Sequence, residues 1–150
     1  MRDFDRKLDD RGIEEAAVMG RLMAKRHLVP DIVVCSTAAR AVETFDALNE
    51  ALQLADRVRY EQDLYATDAP GYLEVAAATG SDGDVMLVGH NPMLEDAALA
   101  LAQEGAEEAL DALHMGFRTA ALAIIRFDGP ASDFATKTGY LEHFLTPADA

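Results

Sequence analysis

The sequence predicts an α/β fold of three layers (α/β/α), in which a mostly parallel central sheet carries helices on both faces. Two apolar runs, at residues 32–35 and 85–88, lack polar alternation, which is typical of strands covered on both faces. Each run is followed by a short loop and then by apolar side chains at helical spacing. The chain has 150 residues, 50% of them hydrophobic, which is the size of one ordinary domain. We therefore expect residues 1–150 to form a single domain.

The first half of the chain begins with a predicted helix. Apolar side chains recur at helical spacing after Gly12, and Pro30 marks the end of this helix. Residues 32–35 then predict the first central strand. Ser36 or Thr37 can cap the helix that follows, because both hydroxyls suit an N-cap.

The middle of the chain repeats this organisation. Residues 58–60 predict a brief edge strand, and Asp68 followed by Pro70 predicts the cap and first turn of a helix that ends near Gly80. Residues 85–88 predict the second central strand.

The remainder alternates in the same way. Asn91 and Pro92 predict the cap and first residue of the next helix, and a further helix is expected over residues 106–113. Residues 120–127 and 140–145 predict two strands separated by a turn and a polar loop.

The charge and composition exclude several classes of partner. The 27 acidic and 13 basic residues give a net charge of −14, which repels nucleic acid and anionic membranes. No stretch reaches the roughly 18 consecutive apolar residues of a membrane span, and the polar start has no signal-peptide run. The single cysteine, Cys35, agrees with a reducing compartment. We expect a cytoplasmic protein whose phosphate-bearing substrate would need a local cluster of Arg and His.

Two loops at predicted strand ends are candidates for chemistry, because ligands of open α/β sheets bind beyond the carboxyl ends of the strands. Arg40 falls in the opening turn of its helix, where a cation is disfavoured unless an anion intervenes. A solvated or salt-bridged arginine is the alternative. His90 directly follows the second central strand, and the helix start at Asn91 supplies backbone N–H groups that suit a phosphate. Here the alternative is a core histidine satisfied by a backbone carbonyl.

Other chemistries fit less well. Cys35 and Arg40 have four residues between them, one fewer than the phosphate loop of cysteine phosphatases, so Cys35 is interpreted as a small buried hydrophobe. No glycine pattern of the nucleotide-binding type and no Cys/His metal spacing is present, so we expect neither a cofactor nor a metal. His27, His114 and His143 lack the strand-end setting and are interpreted as structural.

With these residues assembled, the chain resembles the histidine phosphatase superfamily, which is phosphoglycerate mutase-like in fold, and within it the phosphohistidine phosphatases of the SixA type. The resemblance rests on four segments in order: DFDRKLDDRG (residues 3–12), CSTAARAVET (35–44), VGHNP (88–92) and RTAALAIIRFDG (118–129). It places Arg40 on the family's phosphate-binding arginine and His90 on its second catalytic histidine.

The resemblance implies a hydrolase that removes a phosphoryl group from phosphohistidine in a signalling protein, through a covalent phosphohistidine intermediate and without metal. Arg40 would hold two phosphoryl oxygens, His90 would stabilise the transferring group, and Asn91 would help to bind the phosphate. The family also begins with an apolar strand that ends in Arg-His and carries the attacking histidine. That strand is not found in this chain, so we expect the protein to start further upstream. By analogy the strand would lie between residues 32–35 and 85–88, and its loss would expose two apolar edges.

Two further functions stay open. The absent nucleophile would also fit a non-catalytic remnant of the family that binds phosphate or a phosphoprotein. A small-molecule phosphomonoesterase is the third reading, although Ala66 stands where the mutase and acid-phosphatase branches carry a proton-donating carboxylate. Asp68 could replace that carboxylate, but a helix cap is the better interpretation. The expected partner is thus a phosphorylated protein or a small phosphate ester.

Overall fold

A computed structural model describes residues 2–150, which form six helices, six strands and three short 3₁₀ turns. The helices are α1 (Asp10–Lys25), α2 (Ala39–Leu52), α3 (Asp63–Ala66), α4 (Ala69–Ala77), α5 (Met93–Leu101) and α6 (Glu107–His114). The strands are β1 (Ile32–Ser36), β2 (Val58–Glu61), β3 (Val85–Val88), β4 (Ala102–Gly105), β5 (Leu122–Arg126) and β6 (Gly139–Leu145). Within these residues, none of the helices combines the length and apolar character needed to cross a bilayer.

The strands form two hydrogen-bonded sheets. In the first sheet β1 lies between β2 and β3, and all three strands are parallel. In the second, β6 lies between β4, to which it is parallel, and β5, to which it is antiparallel.

The predicted position of a further strand between residues 32–35 and 85–88 is wrong, because β1 and β3 pair directly, with Cys35 opposite Val88. Strand β1 therefore has a ladder on each side and no exposed apolar edge.

The two faces of β1 pack against different helices, as the period of a strand requires. Val33 and Cys35 share one core cluster with α1 and α2. Val34 points to the other face, where it packs with Leu64 of α3 and Tyr72 of α4. Helices thus cover both faces of a parallel sheet, and the predicted fold class is confirmed.

Helices α1 and α2 approach each other closely at Gly20. A side-chain carbon added at Gly20 would lie 2.6 Å from the carbonyl oxygen of Leu48 and 2.9 Å from its Cα. Since these are backbone atoms, they cannot move aside without separating the helices. Glycine is therefore required here to hold α1 against the C-terminal half of α2.

The helix starts differ from the prediction in detail. Asp68 caps α4, as predicted, by accepting the N–H of Gly71 at 3.0 Å. Helix α2 instead has Ala38 at its N-cap, and the buried Thr37 hydroxyl meets no partner within residues 2–150. Pro92 is the N-cap of α5 rather than its first residue. Strand β4 was not predicted, because its sequence has no apolar run.

Candidate active site

The carboxyl ends of β1 and β3 bring Ser36 and His90 together. Ser36 is the last residue of β1 and is fully buried, and His90 follows β3 by two residues. Nε2 of His90 lies 2.9 Å from Oγ of Ser36, which also accepts the N–H of Ala38 at 3.2 Å. A hydroxyl can both donate and accept, so Ser36 can bond Nε2 in either neutral tautomer of the ring. The serine at the strand end therefore fixes the orientation of the imidazole rather than capping α2.

His90 is held in its neutral form. Burial and the positive charge of Arg40 lower the pKa of His90 below its ordinary value, and the opposing effect of Asp3 is smaller. At neutral pH the ring therefore carries one N–H donor and one acceptor nitrogen.

The backbone of His90 is anchored by Tyr72, which is fully buried. The Tyr72 hydroxyl accepts the N–H of His90 at 3.0 Å and donates to the carbonyl of Leu64 at 2.6 Å. Burial raises the pKa of the Tyr72 phenol, so it stays protonated and keeps both contacts. Gly89 makes this approach possible, since a side-chain carbon there would lie 2.6 Å from the hydroxyl oxygen.

We expect Tyr72→Phe to lower the free energy of unfolding by about 2 kcal/mol, because the substitution leaves the N–H of His90 and the carbonyl of Leu64 without their partner. Thermal unfolding followed by circular dichroism should show a midpoint lower by about 6 °C. Tyr140→Phe is the matched control, because Tyr140 lies on β6 against Arg126. Equal midpoints for the two variants would contradict the anchoring role of Tyr72.

Arg40 lies in the first turn of α2, as predicted, and its guanidinium faces a carboxylate. Nη1 and Nη2 each lie 3.2 Å from an oxygen of the Asp3 carboxylate, and Nη1 also donates to the Asp3 carbonyl at 2.8 Å. The Arg40 side chain is 23% exposed and that of Asp3 is 55% exposed. An anion thus lies where the opening turn of the helix favours one.

Tyr65 of α3 contacts both His90 and Asp3, the carboxylate that pairs with Arg40. Its hydroxyl donates to the Asp3 carboxylate at 2.9 Å, and its ring lies edge-on to the His90 ring with the centroids 5.6 Å apart. Hydrogen bonds from Tyr65 and Arg40 hold the pKa of Asp3 below its usual range, and the bond to Asp3 raises the pKa of Tyr65. At neutral pH, Asp3 is therefore an anion and Tyr65 a neutral donor.

The structure brings Arg40 and His90 into one cluster, but the side chain of Asn91 lies outside it. Asn91 Nδ2 donates to the carbonyl of Phe117 at 2.6 Å, and its Oδ1 accepts the N–H of Glu95 at 3.3 Å. The side chain thus ties the start of α5 to the loop before β5. Only its backbone remains available to a ligand near His90.

The remaining residues singled out in the sequence lie elsewhere. The other three histidines are exposed: His27 lies in the turn after α1, His114 on α6 and His143 on β6. Cys35 is fully buried, and burial raises the pKa of its thiol to about 12, so it cannot act as a thiolate at neutral pH. Within residues 2–150, no three His, Cys, Asp or Glu side chains come together as metal ligands.

Sequence reasoning did not identify Asp3, Tyr65 or Tyr72 as parts of this cluster. Tyr65 directly precedes Ala66, the position compared with the family's proton donor. This adjacency to a candidate site position is the only feature of the sequence that pointed to Tyr65. Tyr72 was hidden in the apolar face of a predicted helix.

The chain is similar to several known proteins. The sequence model of the histidine phosphatase superfamily (branch 1) matches residues 2–70. An uncharacterised protein of Mycobacterium tuberculosis is 30% identical over 149 residues, which cover 97% of this chain and 91% of that protein.

Two solved structures are similar over almost the whole chain. A protein from Agrobacterium tumefaciens, named as a candidate phosphohistidine phosphatase SixA, is 34% identical with a TM-score of 0.79, covering 98% of this chain and 87% of that one. A similarly named protein from Nakamurella is 28% identical with a TM-score of 0.86, covering 98% and 88%. The predicted resemblance and the phosphoglycerate mutase-like fold are confirmed. The chain belongs to the histidine phosphatase superfamily.

Proposed function

We propose that this protein is a phosphohistidine phosphatase, which removes a phosphoryl group from a histidine of a signalling protein through a covalent phosphohistidine intermediate. The observation that carries the proposal is the bidentate contact of Arg40 with a carboxylate, beside the half-buried ring of His90. The Arg40 guanidinium thus presents two donors to an anion at the carboxyl end of a parallel sheet, and a carboxylate or a phosphoryl group can accept them. The 34% identity to the Agrobacterium protein supports the same substrate class.

In the proposed mechanism, Arg40 binds two phosphoryl oxygens and offsets the charge that builds on them. His90, neutral and held by Ser36 and Tyr72, donates its ring N–H to the transferring group. The backbone at Asn91 completes the phosphate site. The chain has a net charge of −14, so Arg40 and the positive end of α2 supply the local attraction for the substrate.

The attack on phosphorus needs a second histidine. Within residues 2–150, the described cluster contains one histidine, His90, and the other three are exposed on other elements. The family pattern supplies the nucleophile on a strand ahead of the first helix, and the proposed route requires such a strand. The phosphoryl group would pass to that histidine and then to water.

The leaving group favours phosphohistidine over a sugar phosphate. Cleavage of a P–N bond to imidazole makes a smaller demand on proton delivery than release of an alkoxide. Ala66 offers no acid, and the Asp68 carboxylate is engaged in capping α4. The buried free thiol of Cys35 is compatible with the cytoplasm as the proposed compartment.

The test follows the release of label from a protein that carries ³²P-phosphohistidine. We expect the full-length protein, including whatever its reading frame encodes ahead of Met1, to release inorganic phosphate. His90→Ala should reduce the rate by at least about 100-fold, as loss of a transition-state donor does. His143→Ala, an exposed histidine of β6, is the control and should leave the rate unchanged.

The same assay separates the other two functions. Binding of the labelled protein without release by any form of the chain would favour a non-catalytic phosphoprotein-binding domain. Hydrolysis of small phosphate esters, with the phosphohistidine label untouched, would favour a phosphomonoesterase. Unchanged turnover by His90→Ala would contradict the assignment of the site itself.

A further inference from the structure

Three donors of the candidate site converge on one carboxylate. Nη1 and Nη2 of Arg40 and the hydroxyl of Tyr65 all donate to the two oxygens of Asp3, at 3.2, 3.2 and 2.9 Å. The Tyr65 ring is in edge contact with the His90 ring, and the charge of Asp3 acts on His90 directly by partly offsetting the lowering of its pKa that burial causes. An anion held by these donors is therefore next to the imidazole.

We propose that the Asp3 carboxylate occupies the position of the phosphoryl group, and that Tyr65 is a further phosphoryl-binding residue. The inference rests on the proposed role of Arg40. It adds a third donor to the site and an internal anion that the substrate must displace.

The geometry favours competition over a positioning role for Asp3. A carboxylate that only oriented Arg40 would leave the terminal nitrogens free for the substrate. Asp3 takes both of them, and its carbonyl takes Nη1 a second time. A phosphoryl dianion bound to the same nitrogens would lie within a few ångströms of this carboxylate, and like charges at that distance repel. The two anions therefore exclude each other.

The segment that carries Asp3 is able to move away. The 3₁₀ turn Asp3–Asp5 contains no buried residue. Besides the bonds that Asp3 itself makes with Arg40 and Tyr65, the segment has an edge contact between Phe4 and Tyr65 and the hydrogen bond from the Leu8 N–H to Glu43. The Asp3 side chain is more than half exposed, so water can replace its contacts when it leaves.

Tyr65 remains in place when Asp3 leaves, because its ring is held against His90 and its helix is tied to Tyr72 through Leu64. Its phenol stays protonated at neutral pH and can donate only to an acceptor in front of it. A phosphoryl oxygen at the former position of the carboxylate would satisfy this hydroxyl and the guanidinium together.

The test measures binding of inorganic phosphate by isothermal titration calorimetry at neutral pH. Asp3→Asn, which keeps the shape and removes the charge, should strengthen binding by about tenfold. Tyr65→Phe, made in the Asp3→Asn background, should weaken binding by about tenfold, since a hydrogen bond to a charged acceptor is lost. The controls are Asp5→Asn, on the same turn, and Tyr140→Phe, on β6; neither should change the affinity.

The outcomes distinguish this inference from the proposed function. Equal or weaker phosphate binding by Asp3→Asn overturns the competition, and equal binding by Tyr65→Phe overturns the role of the tyrosine. In both cases the proposed function stands if Arg40→Gln still weakens binding by about 100-fold. Two results would overturn the inference and the proposed function together. One is phosphate binding that does not depend on Arg40, and the other is the absence of phosphate binding by both the wild type and Asp3→Asn. Tyr65→Phe keeps the ring contacts, and circular dichroism verifies that it folds.

Discussion

Replacing Arg40 with glutamine should weaken the binding of inorganic phosphate by about 100-fold. Arg40 offers two charged donors to one anion, and its side chain is only 23% exposed, so screening by water is limited. Hydrogen bonds to charged groups contribute about 1.5–3 kcal/mol each, and loss of about 3 kcal/mol in total corresponds to a factor of about 100. Titration calorimetry with phosphate, and with tungstate as a second oxyanion, measures the change.

Two further variants make the result specific. Arg40→Lys should fall between the wild type and Arg40→Gln, because a lysine keeps the charge but not the paired donors. Arg126→Gln removes an exposed arginine that pairs with Glu142 on the second sheet, and should bind phosphate normally. If Arg40→Gln and Arg126→Gln had equal affinity, Arg40 would not be the phosphate-binding arginine.

Replacing Gly20 with valine should lower the free energy of unfolding by about 3 kcal/mol. The added Cβ would lie 2.6 Å from the Leu48 carbonyl oxygen, and its methyl groups need further room. Overpacking of this kind costs about 1–3 kcal/mol or more, since backbone cannot rotate away as a side chain can. The melting temperature should fall by about 9 °C, as measured by circular dichroism.

The control for this variant is the next residue of the same helix. Arg21→Val introduces the same β-branched side chain at an exposed position, where the ion pair with Glu14 contributes little. It should cost only about 0.5 kcal/mol, through helix propensity. A similar loss in the two variants would mean that the contact between α1 and α2 at Gly20 does not limit stability.

The sequence was sufficient to predict the layers of the fold and the positions of Arg40 and His90. Both central strands are short, uninterrupted apolar runs rich in β-branched residues, and each is followed directly by turn and helix signals. Because ligands of such folds bind at strand ends, the residues that follow each run could be selected without knowing their contacts.

The partners of these residues could not be predicted, because they depend on the path of the whole chain. Tyr65 and Asp3 are 62 residues apart in sequence, and Ser36 and His90 are 54 apart. No local periodicity reports contacts at such separations. The strand order was likewise hidden: two uniformly apolar strands specify burial but not which strand is their neighbour, so the direct pairing of β1 with β3 was missed.

The Tyr72 hydroxyl has a consequence for how the site tolerates change. Leu64 precedes Tyr65, so one oxygen atom holds both the segment that carries Tyr65 and the segment that carries His90. A displacement of α4 as a rigid body shifts both segments together and preserves their spacing. Substitutions on the exposed side of α4 can therefore accumulate without changing the distance between Tyr65 and His90. Removal of the Tyr72 hydroxyl, in contrast, frees the segment of Leu64 and the segment of His90 at the same time.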